Sequence, residues 1–92
     1  MPRRTLAALL ALAALLAGPV ARAADPGFCR NYARSAVGQM NFAMARPRCR
    51  YGLSFPVWSR DFAHHYNWCL GVSRATANQG YYSRAAYIRR CE

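Results

Sequence analysis

The sequence predicts a small all-α domain, a three-helix antiparallel bundle braced by two disulfides, Cys29–Cys69 and Cys49–Cys91. Three observations predict this fold. The chain has 92 residues, which is at most one small domain. Apolar residues recur at helical spacing along most of it. Four cysteines form an even set, and a core of this size gains much of its stability from crosslinks.

The first 23 residues have the pattern of a secretory signal peptide. A positive pair, Arg3-Arg4, precedes an apolar run over residues 5–17, and small residues follow up to Ala23. A membrane anchor is the alternative, but this run of 13 residues is shorter than the ~20 that a spanning helix needs. We therefore predict cleavage after Ala23 and export to the periplasm or the medium. The arginine pair leaves both the general and the twin-arginine export routes open.

Residues 24–92 form the predicted mature domain, which has 69 residues. Ten arginines against three acids give it a net charge of +7, and it contains no lysine. It has no second long apolar run, so we expect no transmembrane segment after cleavage. All twelve aromatic residues lie here, a content that excludes a disordered chain. The length excludes a large or multidomain enzyme.

The cysteines predict disulfides rather than a metal site. Cys29, Cys49, Cys69 and Cys91 are 20, 20 and 22 residues apart, whereas a zinc site needs close pairs. Small exported domains commonly carry disulfides. His64 and the adjacent residue His65 point about 100° apart on a helix, so they are poorly placed to share one ion. We expect no metal and no cofactor.

The first predicted helix follows Asp25, which suits the N-cap, and starts at Pro26, which suits the first helical position. Apolar residues then recur three and four positions apart. They are Cys29, Tyr32, Ala33, Ala36, Val37 and Met40. The helix should end before Pro47, and residues 46–56 are predicted to form a loop.

Two more helices are predicted, one over residues 57–70 and one from Ser73, its N-cap, to Cys91. Gly71 suits the end of the second helix. The apolar stripe of the second helix comprises Trp58, Phe62, either His65 or Tyr66, and Cys69. The apolar stripe of the third helix comprises Ala77, Tyr81, Ala85, Ile88 and Cys91. Gly80 lies inside the third helix, where glycine costs about 1 kcal/mol relative to alanine.

The order of the helices selects the disulfide pairing. The short connection over residues 71–73 makes the second and third helices antiparallel neighbours. If the first helix is also antiparallel to the second, Cys29 lies near Cys69, and Cys91 lies near Cys49. In the chain-entropy model each bridge contributes about 4 kcal/mol. The long first loop leaves open that Cys49 is carried to the other end of the bundle.

The motifs C-x2-Y-A-x2-A-V-x-Q and W-x2-D-x3-H-Y-x-W-C-L carry a family resemblance. They comprise Cys29, Tyr32, Ala33, Ala36, Val37 and Gln39, and then Trp58, Asp61, His65, Tyr66, Trp68, Cys69 and Leu70, with Cys49 between them and Cys91 after them. This pattern resembles a group of small exported bacterial proteins, mostly uncharacterised, with four cysteines and a helical fold. The resemblance covers nearly all of residues 24–92 and implies no activity. Those proteins usually have a long polar stretch before the last cysteine, which Gly80-Tyr81-Tyr82 interrupts here.

Asp61, His65 and Trp68 share one face of the second predicted helix. A carboxylate beside an imidazole is a component of general-base sites. We instead interpret the group as structural, with Asp61 bonded to a half-buried His65 that packs between Trp58 and Trp68. No nucleophile and no second carboxylate is identifiable beside it. The sequence therefore predicts a protein that is not an enzyme.

The arginine excess is the main functional indication, because guanidinium groups bind phosphates and carboxylates. The candidate anion-binding residues are Arg46, Arg48, Arg50, Arg84, Arg89 and Arg90. The expected partners are anionic envelope components: lipopolysaccharide, phospholipid head groups or peptidoglycan. Nucleic acid is expected only as a non-specific polyanion. Codon bias alone would also explain arginine without lysine.

A second functional hypothesis is a structural or protein-interaction module. It would recognise a protein partner through an exposed tyrosine and tryptophan surface. Under the anion-binding hypothesis, Tyr51, Tyr81 and Tyr82, which lie near arginines, would stack on sugars or bases. Salt dependence separates the two hypotheses, since contacts between arginines and anions weaken as ionic strength rises.

Overall fold

The computed structural model describes residues 22–92, which form four α-helices and, within that range, no β-strand. The helices are α1 (Pro26–Met44), α2 (Pro47–Arg50), α3 (Phe62–Leu70) and α4 (Arg74–Cys91). The predicted all-α class is confirmed. The predicted signal peptide lies outside the described residues except for Arg22 and Ala23. In the described part, no helix combines the length and the apolar character needed to cross a membrane.

Side-chain caps fix where the three longer helices begin. Asp25 accepts a hydrogen bond from the backbone N–H of Phe28, and Ser73 accepts one from that of Thr76. These caps start α1 and α4 where the sequence predicts them. Asp61 caps α3 by accepting from the N–H of Ala63 at 3.0 Å.

The second predicted helix therefore begins too early at residue 57. Residues 55–58 instead form turns, in which the Trp58 N–H donates to the Ser54 carbonyl and the Ser59 N–H donates to the Pro56 carbonyl, and residues 59–60 are irregular. The predicted loop over residues 46–56 is also corrected, because α2 lies within it. Pro47 occupies the first turn of α2, a position where its missing N–H costs nothing.

The two disulfides join the elements in the predicted pairing. Cys29–Cys69 links the start of α1 to the end of α3, and Cys49–Cys91 links α2 to the end of α4. The α3 helix is thus antiparallel to α1, and α4 returns alongside α1 in the same direction. Both α3 and α4 pack on α1, and contacts between α3 and α4 are few.

Small side chains and disulfides form the core. One cluster surrounds Cys29–Cys69, and the other surrounds Cys49 and contains Trp58 and Met40. The largest fully buried side chains are cysteines. Each bridge therefore lies within a cluster of the core, and we expect the fold to depend on both.

The buried face of α4 differs from its predicted stripe. Ala77 and Arg84 are buried, whereas Tyr81 is 38% exposed. The helix runs without interruption through Gly80. A Cβ at Gly80 would lie 3.0 Å from the Tyr32 hydroxyl. Because glycine has no Cβ, α4 can approach α1 closely at this point.

Candidate anion-binding surface

The Cys49–Cys91 disulfide gathers five of the six candidate arginines at one end of the molecule. Its two Cα atoms are 5.1 Å apart. Arg48 and Arg50 flank Cys49 in the sequence, and Arg89 and Arg90 directly precede Cys91. Arg46 is the N-cap residue of α2. We call these five residues the arginine cluster.

Two members of the arginine cluster have structural partners. Arg46 donates to the Phe42 carbonyl at 3.0 Å and stacks on the Phe42 ring, and Arg50 donates to the Met44 carbonyl at 3.1 Å. These carbonyls belong to the last turn of α1, whose partial negative charge favours cations. Arg46 and Arg50 therefore stabilise the end of α1.

The other three members, Arg48, Arg89 and Arg90, are exposed. Within residues 22–92 the one ion pair joins Arg74 to Asp25, and it lies at the opposite end of α1. The hydrogen bond from Arg74 lowers the pKa of Asp25 below its ordinary value. The carboxylate of Asp25 is thus committed to Arg74, and Glu92, which follows Cys91, forms no ion pair with the arginine cluster in the described residues.

Arg84, the sixth candidate, does not belong to this surface. It is 3% exposed, its Nε donates to Gln39 Oε1 at 2.7 Å, and its Nη2 donates to the Tyr32 hydroxyl at 2.9 Å. The expectation of a surface role is corrected, because Arg84 faces α1. Its seven-residue spacing from the buried Ala77 is the sequence signal that places both on one face.

The predicted bond between Asp61 and His65 is wrong. His65 is 3% exposed, and its Nε2 lies 2.7 Å from the Ser59 carbonyl. Because a carbonyl only accepts, Nε2 carries the proton. Burial lowers the pKa of His65, which favours the neutral ring. Asp61 is exposed and caps α3, so these two residues form no acid–base dyad.

The tryptophans also differ from the predicted arrangement. Trp58 is buried against Tyr87, with ring centroids 5.2 Å apart. The ring of Tyr32, a residue of α1, packs against the rings of Trp68 and His65. His65 therefore packs on Tyr32 rather than between two tryptophans. Exposed aromatic rings are present, the most accessible being Tyr51, Phe55 and Tyr82.

No group of three histidine, cysteine or acidic side chains comes together over residues 22–92 to hold a metal ion. All four cysteines are in disulfides. The chain matches no protein-family model, and no curated protein or solved structure is significantly similar to it. The family resemblance of the cysteine pattern therefore stays a prediction.

Proposed function

We propose that this protein is a small, exported, non-catalytic cationic protein of the bacterial envelope. It binds a phosphate-bearing anionic surface, such as phospholipid head groups or lipopolysaccharide, through the arginine cluster. One observation carries the proposal: Arg48, Arg89 and Arg90 are exposed, lie beside one disulfide, and have no carboxylate partner in the described part of the chain.

The chemistry of the cluster suits a phosphate surface. A guanidinium group donates two parallel hydrogen bonds to a phosphate, and each basic side chain near an anionic membrane contributes about 1 kcal/mol. Tyr51, which is 88% exposed, directly follows Arg50. An aromatic ring with a polar hydroxyl is favoured in the interfacial region of a membrane. The disulfide fixes these groups relative to one another before binding, which reduces the entropy lost.

Vesicle co-sedimentation tests the proposal. Binding of the disulfide-intact protein to vesicles of phosphatidylcholine with phosphatidylglycerol should fall as salt is raised. The variant Arg89→Gln/Arg90→Gln removes two charges from the cluster and should bind roughly thirtyfold more weakly at low salt, given about 1 kcal/mol for each charge.

Arg30→Gln/Arg34→Gln is the matched control, because it removes the same charge from exposed positions near the start of α1. At a rise of 1.5 Å per residue, these arginines lie roughly 15–20 Å along the helix from its end. That distance exceeds the ~10 Å screening length at 0.1 M salt. The control should therefore lose much less binding than the cluster variant.

The outcomes separate the hypotheses. Equal losses in both variants would show attraction by net charge alone, and no binding at low salt would refute the proposal. Peptidoglycan and DNA serve as further polyanions, and a preference for either over phosphate-bearing membranes would contradict the assignment to a membrane surface. Salt-resistant binding to a protein, abolished by Tyr51→Ala or Tyr82→Ala, would favour the protein-interaction module instead.

A further inference from the structure

A cavity of about 240 Å³ lies away from the arginine cluster, between α1, α3, α4 and the chain that precedes α3. Its walls are largely apolar and aromatic. The principal lining residues are Tyr32, Pro56, Val57, Trp68, Gly80 and Arg84. Both Val57 and Trp68 are exposed in part, at 48% and 40%, so the cavity opens to solvent at that side.

Arg84 places a positive charge at this cavity without a balancing negative charge. The two hydrogen-bond acceptors of its guanidinium are neutral, namely the Gln39 amide oxygen and the Tyr32 hydroxyl. The third nitrogen, Nη1, makes no hydrogen bond to any residue in the range 22–92, and it is not fully buried. It lies 3.7 Å from where a Cβ of Gly80 would stand, and Gly80 itself lines the cavity.

No carboxylate lines the cavity, whose remaining polar groups are Ser83 and the two histidines, His64 and His65. A carboxylate bound beside a guanidinium that is shielded by protein gains a strong, charge-assisted hydrogen bond. Because Arg84 lines the cavity and Nη1 is not fully buried, an anionic group that enters the cavity can reach Nη1.

We propose that this cavity binds a small organic carboxylate with a compact apolar body, its carboxylate on Arg84 and its body against Trp68 and Val57. The volume sets the size, since an apolar cavity of about 150 Å³ accommodates benzene. A cavity of 240 Å³ therefore takes one ring together with its carboxylate. This site is independent of the arginine cluster and of its proposed function.

Benzoate is a suitable probe for the full-length disulfide-bonded protein. Its binding is followed at constant ionic strength by the NMR signal of the Trp68 indole N–H. Benzoate should shift this signal saturably. Benzyl alcohol, which keeps the ring and lacks the charge, and acetate, which keeps the charge and lacks the ring, should each bind at least about tenfold more weakly, because each loses one of the two interactions.

Arg84→Met removes the guanidinium and should weaken benzoate binding at least about tenfold. Arg30→Met, at an exposed position of α1, is the matched control and should not change it. Because Arg84 is buried, its replacement can disturb folding, so a second pair of variants is needed. Both variants of this second pair are made at Ser83, which is exposed and lines the cavity.

Ser83→Glu introduces a carboxylate that competes for Arg84, whereas Ser83→Gln introduces a neutral side chain of the same shape. The glutamate variant should bind benzoate several-fold more weakly than the glutamine variant. Equal affinity in these two variants would overturn the proposal. Equal binding of benzyl alcohol and benzoate would also overturn it, because it would indicate a purely apolar pocket. So would changes of NMR chemical shift that are confined to the arginine cluster.

Discussion

Two helical glycines, Gly80 in α4 and Gly38 in α1, provide a matched test of how closely α1 and α4 pack. Replacing either by alanine removes the same conformational disadvantage of glycine in a helix, worth about 1 kcal/mol. Their surroundings differ. A Cβ at Gly38 meets no atom within 4 Å, whereas a Cβ at Gly80 would lie 3.0 Å from the Tyr32 hydroxyl and 3.6 Å from the Trp68 ring.

The difference in the free energy of unfolding follows from these contacts. Gly38→Ala should stabilise the fold by about 1 kcal/mol. In Gly80→Ala, Tyr32 has to move by a few tenths of an ångström, although its hydroxyl accepts a hydrogen bond from Arg84 and its ring is buried. Overpacking of this kind costs about 1–3 kcal/mol. Gly80→Ala should therefore be neutral or destabilising by up to about 2 kcal/mol.

Thermal unfolding followed by far-ultraviolet circular dichroism, with both disulfides intact, measures this difference. For a domain of this size 1 kcal/mol corresponds to about 4–8 °C in Tm. Gly38→Ala should unfold at least about 4 °C above Gly80→Ala. An equal rise in Tm for both variants would refute the close approach of α4 to Tyr32, and with it the geometry that forms the cavity wall.

Three further expectations follow from the same structure. Gly52→Ala should destabilise the fold by about 1–3 kcal/mol in denaturant unfolding, because its Cβ would overlap the Tyr87 hydroxyl that donates to the Cys49 carbonyl. Stability should fall as the pH drops below the ordinary histidine pKa of 6.5, since the folded-state pKa of His65 is lower and the unfolded chain binds the proton first. His65→Gln should flatten this profile between pH 7 and 5 more than His64→Gln does. Intact-mass analysis of the exported protein should show a chain that begins at Ala24 with both disulfides formed, and their reduction should unfold it, because each contributes about 4 kcal/mol.

The features that were predicted from sequence rest on short-range signals. An Asp or Ser that precedes a helical pattern favours a helix start, because its side chain reaches a backbone N–H group three residues ahead. Asp25 and Ser73 cap α1 and α4 in this way. The brief connection over residues 71–73 then fixes the direction of α4 relative to α3. The pairing of Cys29 with Cys69 needed one further assumption, that the first helix is antiparallel to the second, and the structure confirms that pairing.

The errors arose where tertiary contacts override a plausible pattern. Trp58 and Phe62 are four residues apart, a spacing that favours one helix containing both. The carboxylate of Asp61 instead caps a helix that begins at Phe62, so Trp58 lies outside it. Arginine is rarely buried, which favours a surface position for Arg84. Its spacing from Ala77 indicates the buried face, but its burial depends on hydrogen bonds to Gln39 and Tyr32 of α1, which are 45 and 52 residues away and which no local pattern indicates.

Salt distinguishes the two proposed sites, because their arginines differ in burial. Exposed charges such as Arg89 and Arg90 interact through water and are screened within about 10 Å at 0.1 M salt. Arg84 is shielded by protein, and a pair formed there is screened much less. Raising the salt should therefore release the protein from anionic vesicles while benzoate still binds the cavity. If both affinities fell in parallel, benzoate would be bound by exposed arginines, and the separate role of Arg84 would have to be abandoned.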